Sequence, residues 1–175
     1  GDPETEDGRT AVRLHLNWFP EAEHGGFYAA LVHGYYEAEG IEVEIVPGGP
    51  GAPVIPAVSE GVRVFGVTNA DRVLFGRAQE APVVALLASL QHSPRCIMVH
   101  EASGIESFDD LRNMTVAMSS GPAFSHFLRR NLPLEGVQIV PYPGNVSRFL
   151  EDPDFAQQGY VFSEPFVARQ AGGDP

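Results

Sequence analysis

The chain has 175 residues, 43% of them hydrophobic and 19% charged, which is typical of one globular domain or of two small lobes. Its 23 acidic and 11 basic residues give a net charge of −12, and every base is arginine. The chain therefore has no basic surface for nucleic acid and no lysine that could form a Schiff base. The single cysteine, Cys96, excludes an intrachain disulfide and a cysteine-based metal cluster.

The first ten residues are rich in acids and glycine, and we expect them to form a flexible leader. A leader of this kind can follow a removed signal or lipid-attachment sequence, which predicts an extracytoplasmic protein or lipoprotein. The alternative is a cytosolic protein with an irregular N-terminus. The sequence contains no run of about 20 apolar residues, the length that crosses a bilayer.

Strand and helix patterns alternate through the first half of the chain. Period-two alternation or continuous apolar character predicts strands at 12–18, 41–46, 62–67 and 82–90. The last of these is apolar throughout, as expected for a strand buried on both faces. Helical spacing and end signals predict helices at 26–39, 54–60 and 70–79.

The pattern pauses at residues 91–95 and then restarts, which predicts a crossover between two lobes, 11–91 and 92–175. The second half predicts strands at 96–99, 115–118, 137–140 and 159–162, with helices starting near 107, 122, 145 and 164. Such alternation is typical of an α/β fold with mostly parallel sheets and right-handed crossovers. A single complete α/β domain is the alternative.

The sequence contains no motif of a known reaction, neither a nucleophile elbow nor a phosphate loop. Glu21, Glu23 and His24 could bind a metal ion, but acids in a surface loop are more often solvated. We therefore predict neither a catalytic residue nor a metal site, and no cofactor.

Residues suited to binding follow the predicted strands instead. Parallel strands of an open α/β sheet bind ligands beyond their carboxyl ends, and helix starts there leave backbone N–H groups unpaired. Five such corners distributed over two lobes predict a cleft that holds a small molecule. The candidate binding residues are Asn17, Trp18, His24, Tyr28, Gly48, Gly49, Thr68, Asn69, Ser119, Ser120, Gly121 and Glu164.

Four stretches carry a resemblance to a known family. They are Leu16-Asn17-Trp18-Phe19-Pro20 with His24-Gly25-Gly26-Phe27-Tyr28, Gly34-Tyr35-Tyr36-Glu37-Ala38-Glu39-Gly40-Ile41 with Val43, Gly66-Val67-Thr68-Asn69-Ala70, and Ser163-Glu164-Pro165-Phe166. The sequence resembles type II periplasmic binding proteins of the group that contains the nitrate-, sulfonate- and taurine-binding subunits of ABC importers. Within that group it is most similar to the branch that binds thiamine-precursor pyrimidines.

The resemblance implies an extracytoplasmic receptor that captures an aminopyrimidine between two lobes and delivers it to the membrane subunit of an importer. Trp18 would stack on the ring and Glu164 would accept a hydrogen bond from the exocyclic amine. Nitrate, sulfonate or taurine is the alternative ligand. Two other functions remain open, a ligand-sensing module and an enzyme of pyrimidine synthesis. The enzymes of this superfamily use a lysine and a cysteine-rich motif, which this sequence lacks.

Members of the family are longer and return to the first lobe after the second, so we expect a return segment to be missing. Uncovered apolar surface on the first lobe would then favour a homodimer.

Overall fold

The computed structural model of the chain describes residues 8–121 and 123–175. The chain divides between Ser89 and Leu90 into two compact units, each built around its own sheet. Most of the predicted leader, and Pro122 of the predicted turn after the predicted strand 115–118, lie outside the described residues. The predicted boundary followed residue 91.

The first unit contains a three-stranded sheet in which every strand is parallel. Its strands are β1 (Thr10–His15), β2 (Ile41–Val46) and β3 (Val64–Gly66), in the order β2-β1-β3. The register places Thr10 opposite Ile41 and His15 opposite Val46, so β1 and β2 end side by side. Because β3 also runs parallel to β1, all three carboxyl ends meet at one edge.

Four helices accompany this sheet, and one of the predicted helices is divided. The helices are α1 (Gly25–Val32), α2 (Tyr35–Ala38), α3 (Val54–Glu60) and α4 (Ala70–Ala78). The predicted helix 26–39 breaks at Gly34, where φ is 71°, a left-handed conformation that glycine adopts without steric strain. A 3-10 turn, Ala22–His24, leads into α1.

The predicted buried strand at 82–90 is wrong. Residues 82–90 form neither a strand nor a helix, and of these nine residues Val83 alone is buried. Val84, Leu86 and Leu87 are 76%, 69% and 74% exposed. An apolar run becomes a buried strand only if other strands pair with it, and none of the described strands does so here.

The second unit contains a four-stranded sheet in the order β4-β7-β5-β6, in which only β4 is antiparallel to its neighbour. The strands are β4 (Arg95–Met98), β5 (Thr115–Ala117), β6 (Gln138–Val140) and β7 (Phe155–Tyr160). The predicted strand 159–162 overlaps β7 by only two residues. The mostly parallel character of both sheets confirms the predicted α/β class.

Helices cover both faces of the second sheet. On one face Val116 and Ala156 pack with Leu128 of α5 (Ala123–Asn131). On the other face Ala117 and Phe155 belong to a cluster that includes residues of α6 (Ser147–Glu151) and α7 (Glu164–Gln170). The predicted capping box at Ser107 is present and opens a 3-10 turn, Phe108–Asp110. Another such turn spans Glu101–Ser103.

Candidate functional site

Six of the candidate residues follow the three strands of the first unit at their common carboxyl edge. Backbone hydrogen bonds continue the sheet into this region: the N–H of Leu16 donates to Val46 (2.9 Å) and the N–H of Val67 donates to His15 (2.8 Å). The chain segments that leave the strands are therefore held side by side. They carry Asn17 and Trp18 after β1, Gly48 and Gly49 after β2, and Thr68 and Asn69 after β3.

Gly48 allows the segments after β1 and β2 to touch along their backbones. Its N–H donates to the carbonyl of Trp18 over 3.0 Å. A Cβ atom at this position would overlap the carbonyl oxygen of Leu16 and lie 2.7 Å from backbone atoms of Asn17 and Trp18. Only glycine fits here without displacing the backbone, so Gly48 supports the loop that carries Trp18.

The aromatic part of this edge consists of Trp18 and Phe19. Their ring centroids are 5.4 Å apart with an interplanar angle of 68°, an edge-to-face pair. A Cβ atom on Gly49 would lie 3.3 Å from the Phe19 ring, so this glycine lies beside the pair. Trp18 is half-buried and Phe19 is 51% exposed, which leaves aromatic surface accessible at the edge.

His24 is fully buried below this loop and joins it to the start of α1. The N–H of Glu21 donates to its Nδ1 atom (3.3 Å), so Nε2 carries the proton of the neutral ring and donates to Oδ1 of Asn17 (3.1 Å). Oε1 of Glu23 lies 3.3 Å from the same Nε2 atom. Burial lowers the pKa of His24, which favours this neutral form. His24 therefore positions Asn17, and Tyr28 lies half-buried in α1 beyond it.

The candidate serines of the second unit follow β5, and the polar groups of Ser119 already form hydrogen bonds within the protein. Its N–H donates to Oε1 of Gln158 (2.7 Å), while Nε2 of Gln158 donates to its hydroxyl (3.0 Å). Its carbonyl accepts from the hydroxyl of Ser125 (2.5 Å). The expectation that this corner leaves its N–H groups unpaired is thus wrong for Ser119. Ser120 and Gly121 are exposed just before α5.

Glu164, the first residue of α7, folds back over the end of β7. Its Oε2 atom accepts from the N–H of Tyr160 and its Oε1 atom accepts from the hydroxyl of Tyr142, both over 2.7 Å. Gly159 leaves room for this, because a Cβ atom there would lie 2.9 Å from Oε2 of Glu164. The carboxylate is held rigidly, and each oxygen keeps a second lone pair for a further donor.

Cys96 pairs with Gly159 across the strands and thus lies near this carboxylate. Burial, reinforced by the negative charge of Glu164, raises the pKa of the Cys96 thiol to about 11, although Arg95 acts in the opposite direction. The thiol is therefore protonated and unreactive at neutral pH.

The sequence did not indicate Gln158 or Tyr142 as site residues. Gln158 is buried in β7, where hydrophobic patterning does not anticipate a polar side chain, and Tyr142 follows β6 after a proline. In the part of the chain that the structure describes, no three His, Cys, Asp or Glu side chains are grouped as metal ligands. No helix in that part is long and apolar enough to cross a membrane.

A family model described as "NMT1/THI5 like" matches residues 21–172, which is most of the chain. The chain belongs to this family. The match covers both units and includes Glu164 together with the loops after β2, β3 and β5.

The chain is also similar to three proteins of named function. The chain is 26% identical over 132 residues to the formylaminopyrimidine-binding protein of Halalkalibacterium halodurans, covering 75% of this chain and 40% of that protein. It is 28% identical to the 4-amino-5-hydroxymethyl-2-methylpyrimidine phosphate synthase of Legionella pneumophila, covering 59% and 33%. It is also 28% identical to the riboflavin-binding protein RibY of Chloroflexus aurantiacus, covering 97% and 51%. The chain thus spans about half the length of these relatives or less.

Solved structures show the same fold. The periplasmic aliphatic sulphonate binding protein SsuA of Escherichia coli matches with a TM-score of 0.64 and 18% identity, covering 93% of this chain and 54% of that protein. An ancestral arginine-binding protein matches with a TM-score of 0.57 and 18% identity, covering 94% and 76%. The chain therefore has the type II periplasmic binding protein fold over the part that it spans.

Proposed function

We propose that this chain is part of the extracytoplasmic solute-binding component of an ABC importer and that its ligand is an aminopyrimidine. The observation that carries the proposal is the first-unit edge, where Trp18 stands beside a loop fixed by Gly48 and by the Asn17–His24 hydrogen bond. A flat heterocycle binds to such an aromatic surface by stacking. The relationship to a formylaminopyrimidine-binding protein supports the same ligand class.

Glu164 supplies the polar contact in this proposal. Its carboxylate is held by Tyr142 and Tyr160, so it needs little reorganisation to accept an N–H from an exocyclic amine. A hydrogen bond to a charged group contributes about 1.5–3 kcal/mol. Asn17, Tyr28, Thr68 and Ser120 would complete the set of ligand contacts, and the glycines would allow close approach.

A synthase is the second candidate function, because one relative is named as an enzyme that makes a pyrimidine phosphate. The residue content disfavours it: the chain has no lysine for a Schiff base and a single cysteine whose pKa is raised to about 11. An absorbance scan of the purified protein for a pyridoxal chromophore distinguishes the two functions.

Calorimetric titration with 4-amino-5-hydroxymethyl-2-methylpyrimidine tests the binding function directly. We expect Trp18→Ala and Glu164→Gln each to weaken binding by at least about 1.5 kcal/mol. Tyr35→Ala is a matched control, because Tyr35 is 64% exposed and lies away from the strand ends, in α2. Unchanged affinity in both site variants, or tighter binding of taurine or nitrate by the parent protein, would contradict the proposal.

A further inference from the structure

The second unit contains an arginine, Arg95, whose side chain has no acidic partner among residues 8–121 and 123–175. Arg95 begins β4 and is half-buried, with its Cζ atom 4.4 Å from the ring centroid of Phe124 and 5.2 Å from that of Tyr160. Its guanidinium makes no hydrogen bond or ion pair with any residue in 8–121 or 123–175. A guanidinium has five N–H donors, and stacking on ring faces satisfies none of them.

The two ring contacts leave the N–H groups of the guanidinium without a hydrogen-bond acceptor among the described residues. Rings stacked on a planar cation remove water from its faces but not from the N–H groups in its plane. Those groups form the fork that carboxylate, phosphate and sulfonate groups accept in a bidentate manner. Because the rings also restrict rotation of the side chain, little ordering is needed when an oxyanion binds.

The position of Arg95 in the sheet places it where ligands of this fold class bind. β4 runs antiparallel to β7, and Arg95 pairs with Tyr160, the last residue of β7. The start of β4 therefore lies at the carboxyl end of the parallel strands, the edge at which open α/β sheets bind ligands. Phe124 lies in the first turn of α5, so one of the two rings beside the guanidinium belongs to the start of that helix.

Arg95 is separated from the carboxylate of Glu164 by the strand itself. Glu164 lies over Gly159, whereas the side chains of Arg95 and Tyr160 point to the opposite face, because successive residues of a strand alternate. The carboxylate is in addition bonded to Tyr142 and to the N–H of Tyr160. Glu164 therefore leaves the donors of Arg95 unsatisfied.

We propose that Arg95, whose guanidinium lies over the rings of Phe124 and Tyr160, binds an oxyanion at the carboxyl edge of the second sheet. The oxyanion is either a free ion or an anionic substituent of the ligand, and only in the second case does this inference rest on the proposed function. A local arginine of this kind overrides the repulsion that a net charge of −12 exerts on anions at a distance.

Nuclear magnetic resonance of the arginine Nε–H groups tests the site without a substitution. The protein is titrated with inorganic phosphate at constant ionic strength. We expect a saturable shift of the Arg95 resonance and none for Arg148. Arg148 is a matched control because its Cζ atom also lies over a ring, 4.5 Å from that of Phe155, but Asp152 is its ion-pair partner. An Arg95 resonance that moves no more than that of Arg148 would overturn the proposal.

Calorimetry then identifies the source of the oxyanion. If it belongs to the ligand, the phosphate ester of 4-amino-5-hydroxymethyl-2-methylpyrimidine binds about tenfold or more tightly than the neutral alcohol, and Arg95→Lys removes most of that difference while Arg148→Lys does not. If it is a free ion, alcohol and ester bind alike while phosphate still saturates Arg95. Binding of the alcohol that depends on Trp18, with no response of Arg95 to phosphate, would retain the proposed function and refute this site.

Discussion

Replacing Gly48 with alanine tests the inference that close backbone contact supports the Trp18 loop. The new Cβ atom would overlap the carbonyl oxygen of Leu16 and lie 2.7 Å from the Asn17 carbonyl carbon and from the Trp18 nitrogen. All three are backbone atoms, so no side-chain rotation relieves the clash. The segments after β1 and β2 must separate, which breaks the hydrogen bond from Gly48 to the Trp18 carbonyl.

The expected effect of Gly48→Ala combines two contributions. Overpacking of this kind costs about 1–3 kcal/mol, and loss of one backbone hydrogen bond adds about 1 kcal/mol. We therefore expect the free energy of unfolding of the first unit to fall by about 2–4 kcal/mol. Gly26→Ala is the control, because Gly26 lies in α1 with nothing within 4 Å of the new Cβ atom. That change should leave stability unaltered or raise it by about 0.5–1 kcal/mol.

Urea denaturation followed by tryptophan fluorescence measures both variants. Trp18 is the only tryptophan of the chain, so its emission reports on the loop that Gly48 contacts. Gly48→Ala should lower the denaturation midpoint and alter the emission of the folded protein, whereas Gly26→Ala should do neither. A Gly48→Ala protein with the parent midpoint and emission would show that the two segments do not need their close contact.

Four further predictions concern single features. Burial lowers the pKa of His24 in the folded protein, so as the pH drops the imidazole of the unfolded chain is protonated first. The free energy of unfolding should therefore fall below about pH 6.5, by at most about 1.4 kcal/mol per pH unit. Denaturation curves at several pH values should show that His24→Gln flattens this dependence. Cys96 should react slowly with iodoacetamide at pH 8, with about one thiol in a thousand ionised, and faster in Glu164→Gln, which removes a charge that raises its pKa. Gln157 is buried with neither amide atom hydrogen-bonded, so Gln157→Met should raise the free energy of unfolding by about 1–3 kcal/mol, and a loss of stability would refute this. The exposed apolar residues of 82–90 should drive self-association, which light scattering would disprove by finding a monomer at high concentration.

The hydrophobic pattern of the sequence predicted those elements whose pattern is determined by their own residues. The strict alternation of residues 41–46 corresponds residue for residue to β2, because one face of that strand meets the unit and the other meets solvent. Residues 82–90 show the limit of such reasoning. Their apolar character is the same whether or not a neighbouring strand is present, and pairing depends on residues far away in the chain.

The same distinction applies to the candidate site. Because parallel strands end at one edge, the sequence sufficed to predict that the residues after β1, β2 and β3 come together. The sequence could not predict that the amide oxygen of Gln158 accepts a hydrogen bond from the N–H of Ser119, because the two residues are 39 positions apart. The hydrogen bond of Asn17 to His24 likewise depends on the direction of two side chains, which spacing does not determine.

The two units present different chemistry at their strand ends. The first unit offers the ring faces of Trp18 and Phe19, which accept many flat or apolar molecules. The second unit offers a fixed carboxylate on one face of β7 and a stacked guanidinium on the other. A charged group discriminates between ligands more strongly than a ring face, since an unmatched buried charge is expensive. Under the proposed function, Arg95 and Glu164, more than the residues around Trp18, would therefore set the preference of this chain between a pyrimidine and an oxyanion.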